Sequence, residues 1–216
     1  MFISGISLWA AETNAWAIAS EKGGLAVLVD APPDVDGIVR FLADHDLTPV
    51  ALLVTHGHVD HVGGAGGVAG RFDVSAYVHP DDEYLYADPA AQLGRLWGSE
   101  PPGDYAPPQR WELLVGETSL ELAGIDFDVL HTPGHTPGHC CFHVAGEGVL
   151  FSGDQLFAGS IGRTDLPGGD YGTLMTSMRE RIVPLSSATD VLPGHGPTTT
   201  LAAELANNPF MQEFRT

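Results

Sequence analysis

The stretch Val50-Ala51-Leu52-Leu53-Val54-Thr55-His56-Gly57-His58-Val59-Asp60-His61 runs an unbroken apolar segment straight into three imidazoles and a carboxylate. A short apolar run bounded by turn residues predicts a fully buried strand. Side chains that can all bind a borderline transition metal then crowd its end. His56 and His58 lie two apart, so in an extended segment they point the same way and can clasp one ion. Asp60 and His61 follow as the chain bends toward a helix, displaced enough to serve a neighbouring ion. Packing alone accounts poorly for this set, because imidazole and carboxylate groups rarely cluster inside a protein without a shared partner.

Three further segments repeat the pattern of an apolar run followed by a Gly- or Pro-marked turn with a metal-type residue. Leu130-His131-Thr132-Pro133-Gly134-His135-Thr136-Pro137-Gly138-His139 contains two Thr-Pro-Gly turns, a rigid platform for a ligand. The spacing leaves His131, His135 and His139 all open. Asp154 follows Val149-Leu150-Phe151-Ser152-Gly153, and a carboxylate there has two oxygens with which to bridge two cations. His195 is framed by Gly194 and Gly196, which let the backbone turn tightly beside an ion.

Around these points the chain divides into two blocks. Phe2 to Leu8, Asn14 to Ala19 and Leu25 to Asp30 predict short strands. Val35, Ile38, Val39 and Leu42 recur at helical spacing behind Asp34, a candidate N-cap. Val50 to Val54 and Val74 to Val78 continue the strands, with a Gly- and Ala-rich helix between them. From Pro80 to Arg110, prolines and glycines break every period, leaving one short helix over Ala90 to Leu96. An irregular excursion of that length predicts a lid or active-site wall. The second block has strands at Thr118 to Leu122, Ile125 to His131, His139 to Val144, Val149 to Ser152 and Asp190 to Leu192. Helices are expected over Tyr171 to Val183 and Thr198 to Ala206. Two strand-rich blocks with helices outside predict a single α/β domain over 1–216, a four-layer αββα sandwich.

Composition narrows the partners. The 216 residues are 44% hydrophobic and 17% charged, enough for a sizeable core and too few charges for a disordered chain. A net charge of -19, with one lysine (Lys22), argues against nucleic acid and anionic membranes. The apolar start Met1 to Ala11 has no Lys or Arg before Lys22, so a secretory signal is not expected. No segment reaches the roughly 20 apolar residues of a membrane span. Cys140 and Cys141, neighbours on a strand, point to opposite faces and cannot readily pair, which fits free thiols and a cytoplasmic location. His45 suits a helix C-terminus, His79 a structural or rim position, and His143 a plain strand position.

Taken together, Thr55-His-x-His-x-Asp-His61, His135 between its Thr-Pro-Gly turns, Ser-Gly-Asp154 and Pro-Gly-His195-Gly resemble the metallo-β-lactamase fold superfamily. The stretch Gly159-Ser160-Ile161-Gly162-Arg163-Thr164-Asp165 is similar to the glyoxalase II (hydroxyacylglutathione hydrolase) branch, and sets the chain apart from lactonases and β-lactamases. The resemblance implies that His56, His58 and His135 hold a first metal and that Asp60, His61 and His195 hold a second. Asp154 would bridge them, Asp60 would orient a bridging hydroxide, and His131 and His139 would brace loops. It implies two divalent ions, zinc first, with iron or manganese compatible. It also implies hydrolysis of a small-molecule acyl-thiol thioester, such as S-2-hydroxyacyl-glutathione.

Longer glyoxalase II enzymes end in a helical domain whose basic residues grip glutathione, whereas this sequence runs only to Thr216 and resembles a short form. The 80–110 excursion is then expected to supply the thiol-binding surface, or the thiol to be a less anionic, sugar-based one. The same pattern also resembles persulfide dioxygenases, in which a single iron would sit on His56, His135 and Asp154. Arg163 and Asp165, two apart in a Gly-rich turn, are expected to pair with each other.

Overall fold

In the computed structural model, which describes every residue except Trp97, Ser99, Glu117, Arg215, Thr216 and the side chains of Arg95 and Leu96, the two blocks become two sheets. The first block runs β1 (Phe2–Leu8), β2 (Thr13–Ala19), β3 (Leu25–Val29), α1 (Val35–Asp44), β4 (Thr48–Leu53), α2 (Val59–Val62), α3 (Ala65–Phe72) and β5 (Ser75–Val78). After α4 (Glu83–Tyr86) and α5 (Leu93–Leu96), β6 (Trp111–Leu113) completes the sheet in the order β1-β2-β3-β4-β5-β6. Pairing is antiparallel as far as β3 and parallel from there to β6. Parallel neighbours need a crossover, and α1 and α3 provide two of them.

The second block runs β7 (Thr118–Leu122), β8 (Ile125–His131), β9 (Cys140–Val144), β10 (Val149–Gly153), a hairpin of β11 (Leu156–Phe157) and β12 (Ser160–Ile161), α6 (Tyr171–Ser177), β13 (Asp190–Pro193), β14 (Thr199–Thr200) and α7 (Leu201–Asn207). Its sheet has the order β14-β13-β10-β9-β8-β7, parallel only between β10 and β13.

The period-2 geometry of strands sorts the apolar side chains into three layers. Ala15, Ala17, Ala26, Leu28, Leu52 and Ala76 face out against Ile38, Leu42 and Val68 of α1 and α3. Their neighbours Ile18, Val27, Val29, Ala51 and Leu53 face inward against Phe127, Val129, Phe142 and Phe151 of the second sheet. Cys141, Leu150 and Val191 face the far side, under Leu174, Met178 and Leu201. Three apolar interfaces between four layers are the αββα sandwich, as expected. Cys140 and Cys141 fall in different layers, both buried and free, so strand alternation does separate them.

Local chemistry sets the element ends. Asp34 Oδ1 accepts from the Gly37 N–H at 2.9 Å and caps α1. The helix expected over Tyr171 to Val183 is α only to Ser177. It then widens into a π turn over Met178–Ile182, with the Val183 N–H reaching the Met178 carbonyl at 2.9 Å. This wider turn keeps both Met178 and Ile182 buried against the sheet. Thr199 and Thr200 pair with β13 before Thr200 caps α7, so that helix starts later than its apolar pattern suggested.

The excursion is more ordered in its first half than its prolines imply. Pro80–Asp82 and Pro89–Gln92 are 3-10 turns leading into α4 and α5, each with proline at an early position, where its missing N–H costs no bond. The second half lies along α3, with the Gly66 N–H bonded to the Ala106 carbonyl at 3.1 Å. Among the described residues, no helix is long and apolar enough to cross a membrane.

Candidate metal centre

The metal-type residues all leave the same edge of the sandwich. His56 to His61 follow β4, Asp154 follows β10, His195 follows β13, and His135 lies in the β8–β9 loop. Donor atoms of His56, His58 and His135 lie within 4.8 Å of one another, as do those of Asp60, His61 and His195. His56, His61 and Asp154 form a third such group, which joins the other two.

The outer ring nitrogens are anchored and the inner ones converge. His61 Nδ1 is 2.8 Å from Asp30 Oδ2, His135 Nδ1 is 2.7 Å from the Arg163 carbonyl, and His56 Nδ1 is 3.0 Å from Thr55 Oγ1. Each acceptor takes the ring proton and leaves a lone pair aimed inward. There His135 Nε2 lies 2.9 Å from His58 Nδ1 and 3.2 Å from His56 Nε2, while His61 Nε2 lies 3.2 Å from His195 Nε2. Lone pairs this close repel unless a cation sits among them.

Asp154 stands between the two groups. Its Oδ1 is 3.4 Å from His61 Nε2, and its Oδ2 is 3.5 Å from His135 and 3.6 Å from His195. Oδ1 is buried with no hydrogen-bond partner, a costly arrangement for an oxygen that water cannot reach. A Cβ on Gly194 would lie 2.6 Å from His61 Cε1, so glycine is needed for the β13 turn to pass behind the cluster. The orphaned oxygen and the converging nitrogens fit a pair of bound cations, and the His/Asp donor set suggests a dinuclear metal site.

Electrostatics divides the imidazoles. Burial holds His56 and His139 well below the usual histidine range, and brings His58 down to about 3 and His135 to about 4, with neighbouring imidazoles adding to the effect in each. These rings are neutral at neutral pH, the form that binds a metal. Burial acts the same way on His61 and His195, but the carboxylates of Asp60 and Asp154 overcome it and raise both. Burial opposes ionisation of Asp60, yet His61 and the bonds to His195 and His61 hold it well below the usual carboxylate range.

The remaining sequence expectations sort by geometry. His139 Nε2 accepts from the Asp154 N–H at 3.0 Å and His131 Nε2 bonds the Pro137 carbonyl at 2.9 Å, so both brace loops. His79 stacks on His131 with centroids 4.0 Å apart and planes at 7°. With Asp81 they bring donor atoms together, but the in-plane lone pairs of stacked rings run parallel and do not meet at one point. His45 Nδ1 reaches the Phe41 carbonyl at the end of α1. Arg163 and Asp165 make the expected bidentate pair, both bonds 2.7 Å, on the surface.

Several residues escaped sequence reading. Asp30 is buried and orients both Thr55 and His61. Its signal was present: it is a carboxylate at the end of an apolar strand, like Asp154. Thr13 donates to Asp60 Oδ2 at 2.9 Å. Asn14 and Trp16, on the first sheet, donate to the Pro193 carbonyl at 3.0 Å each and steady the His195 turn of the second. No local pattern marks those three. A cavity of about 290 Å³ opens beside His58, lined by Tyr84, Leu85, Ala91, Gln92, Leu166 and Pro167.

Comparison with known proteins agrees with this architecture. The profile of the Metallo-beta-lactamase superfamily matches residues 9–200. A protein named hydroxyacylglutathione hydrolase GloC, from Haemophilus influenzae, is 39% identical over 187 residues, covering 86% of this chain and 87% of its own. The crystal structure of BLEG-1 B3 metallo-beta-lactamase superposes with a TM-score of 0.89 at 38% identity, covering 97% of this chain and 99% of that one. TTHA1623 in a di-iron-bound form does so with a TM-score of 0.84 at 38% identity, covering 96% and 99%. With its profile matched over most of its length and its His/Asp cluster at the shared edge of the sandwich, the chain belongs to the metallo-beta-lactamase superfamily and is a hydrolase of that superfamily.

Proposed function

We propose that this hydrolase cleaves acyl-thiol thioesters of the S-2-hydroxyacyl-glutathione type, with His56, His58 and His135 holding one cation and Asp60, His61 and His195 the other. The observation that carries the reading is the orphaned Asp154 Oδ1 set between two converging donor groups, a bridging position. The identity to GloC supports the thioester as substrate. The chemistry that a pair of divalent cations supplies at such a site is Lewis acidity, which polarises a carbonyl and makes hydroxide available near neutral pH.

The protein's own groups do the rest. Asp60, kept ionised and fixed by the Thr13 hydroxyl, accepts a hydrogen bond from the attacking water and aims its lone pair. The cavity beside His58 receives the substrate, with Leu85, Leu166 and Pro167 excluding water and Tyr84, anchored to the Pro167 carbonyl at 3.0 Å, forming its rim. The first half of the 80–110 excursion is therefore the wall of the site within a single domain. A thiolate is a good leaving group, so no strong general acid is required.

Zinc is the proposed metal, and the di-iron form of a relative brings iron into the test. The 38% identity to BLEG-1, against the expectation drawn from the Gly159–Asp165 stretch, favours β-lactam hydrolysis as the second reading. The deciding experiment measures metal content by mass spectrometry on protein purified without added metal. The same sample is then assayed on lactoyl-glutathione, a neutral lactoyl thioester and a chromogenic β-lactam, with oxygen uptake on a persulfide as a control. Two metal equivalents with thioester turnover are expected. β-Lactam turnover without thioester turnover would replace the reading, and one iron with oxygen uptake would replace it with a dioxygenase.

A further inference from the structure

Asp82 is a fully buried carboxylate outside the cluster, on a segment distant in sequence from every residue discussed for it. Its Oδ2 accepts from the Gly57 N–H at 2.8 Å and from the Thr136 hydroxyl at 2.7 Å, and its Oδ1 accepts from the Gly138 N–H at 2.7 Å. Gly57 is the residue between His56 and His58, while Thr136 and Gly138 follow His135. One carboxylate thus ties together the two loops that carry these three imidazoles. Gln92, on the same excursion, completes the grip. Its Nε2 donates to the Gly57 carbonyl at 2.9 Å and its Oε1 accepts from the Val59 N–H at 3.1 Å, so the peptide groups on both sides of His58 are held.

The two loops are shaped for this approach. A Cβ on Gly57 would lie 2.8 Å from Leu85 Cβ and 3.0 Å from Asp82 Cβ, and one on Gly138 would lie 2.7 Å from Asp82 Cγ. Only glycine lets the segment come so close at both points. Among the described residues, Asp82 and Gln92 make no hydrogen bond to the side chains of Asp60, His61 or His195; Thr13 holds the Asp60 carboxylate, Asp30 the His61 ring and Asn14 the His195 turn.

We propose that Asp82, assisted by Gln92, is a positioning residue that sets the spacing of the His56/His58/His135 triad, and of that triad alone. The inference rests on the reading of the triad as one of two metal sites. The mechanism is geometric: with the acceptor removed, three buried donors are left unpaired, and the loops separate to hydrate them. The excursion is then a buttress for one half of the site as well as a wall.

The test titrates metal-free wild type, Asp82→Ala, Asp82→Asn, Thr136→Val and Gln92→Leu with zinc against a chromophoric chelator, and records the cobalt(II) absorption bands. Wild type is expected to bind two equivalents. Asp82→Ala should keep one at wild-type affinity and bind the other about 10- to 100-fold more weakly, as for other residues that orient metal ligands. Asp82→Asn, which retains one oxygen, should fall between, and the cobalt bands of the weakened site should shift. Thr136→Val and Gln92→Leu each remove only part of the grip and should show a smaller loss at the same site, which keeps the test decisive if Asp82→Ala does not fold. Two equivalents at wild-type affinity in the folded variants would overturn the inference, as would equal weakening of both sites. Wild type that takes up no metal would instead overturn the functional reading on which it rests.

Discussion

Asp30 shows how much of this site lies behind the residues that face the cavity. Its carboxylate accepts a hydrogen bond from the His61 Nδ1–H at 2.8 Å, and its bonds to the Thr55 N–H and hydroxyl fix the start of the loop that carries His56 to His61. Asp30→Ala should weaken metal binding by about 10- to 100-fold, measured by chelator competition, because the ring then loses its tautomer and its orientation. Unchanged affinity would remove Asp30 from the account. Acid should separate the two halves of the cluster. His58 and His135, depressed to about 3 and about 4, stay neutral through mild acid, whereas the raised His61 and His195 take up protons that compete with a cation. As pH falls, the Asp60/His61/His195 group should therefore release its ion first, so metal analysis after desalting at successively lower pH should pass through a plateau of one equivalent. Loss of both ions in a single step would contradict this division. In the metal-free protein the depressed pair also has a stability consequence. The unfolded chain binds protons there below about pH 6.5 that the folded one refuses, so their contribution to stability falls as pH drops toward their folded values, by about 1.4 kcal/mol per pH unit for each group.

At the scale of elements, caps and core side chains differ in weight. Asp34→Ala removes the side-chain N-cap of α1 and should cost about 1 kcal/mol in denaturant unfolding, with the site unaffected. Phe142→Ala empties a fully buried position on β9 between the sheets, and should cost about 3–5 kcal/mol. A smaller loss for Phe142 than for Asp34 would mean that the inter-sheet layer is not the main core. Strand and helix positions were largely legible in the sequence, because period-2 and period-3.6 patterns report which face is buried. Boundaries drifted where a tertiary partner took over, as at Thr199 and Thr200, which join a sheet edge before α7 begins. The 80–110 excursion was opaque for the same reason: its order comes from Asp82 and Gln92 bonding to distant loops, and leaves no local period.

For the whole molecule, the cluster is a junction between the sheets. His56 to His61 come from the first, whereas His135, Asp154 and His195 come from the second, so an ion bound by both couples them. Removing metal with a chelator should lower thermal stability, since a ligand at 100 times its Kd contributes about 2.7 kcal/mol to the folded state. Calorimetry with and without chelator checks this, and an unchanged melting temperature would mean that the sheets associate independently of the site.

The sequence alone pointed to the αββα layering, through two blocks of apolar runs with amphipathic helices beside them, and singled out the metal-type residues, through their place after apolar runs at strand ends. Those signals are local, so they survive in one dimension. Tertiary structure decided which of His131, His135 and His139 faces the cluster, how the donors divide into two groups about Asp154, and which buried groups hold them there. Each of those depends on distances between segments far apart in the chain, and folding alone brings them within hydrogen-bond reach.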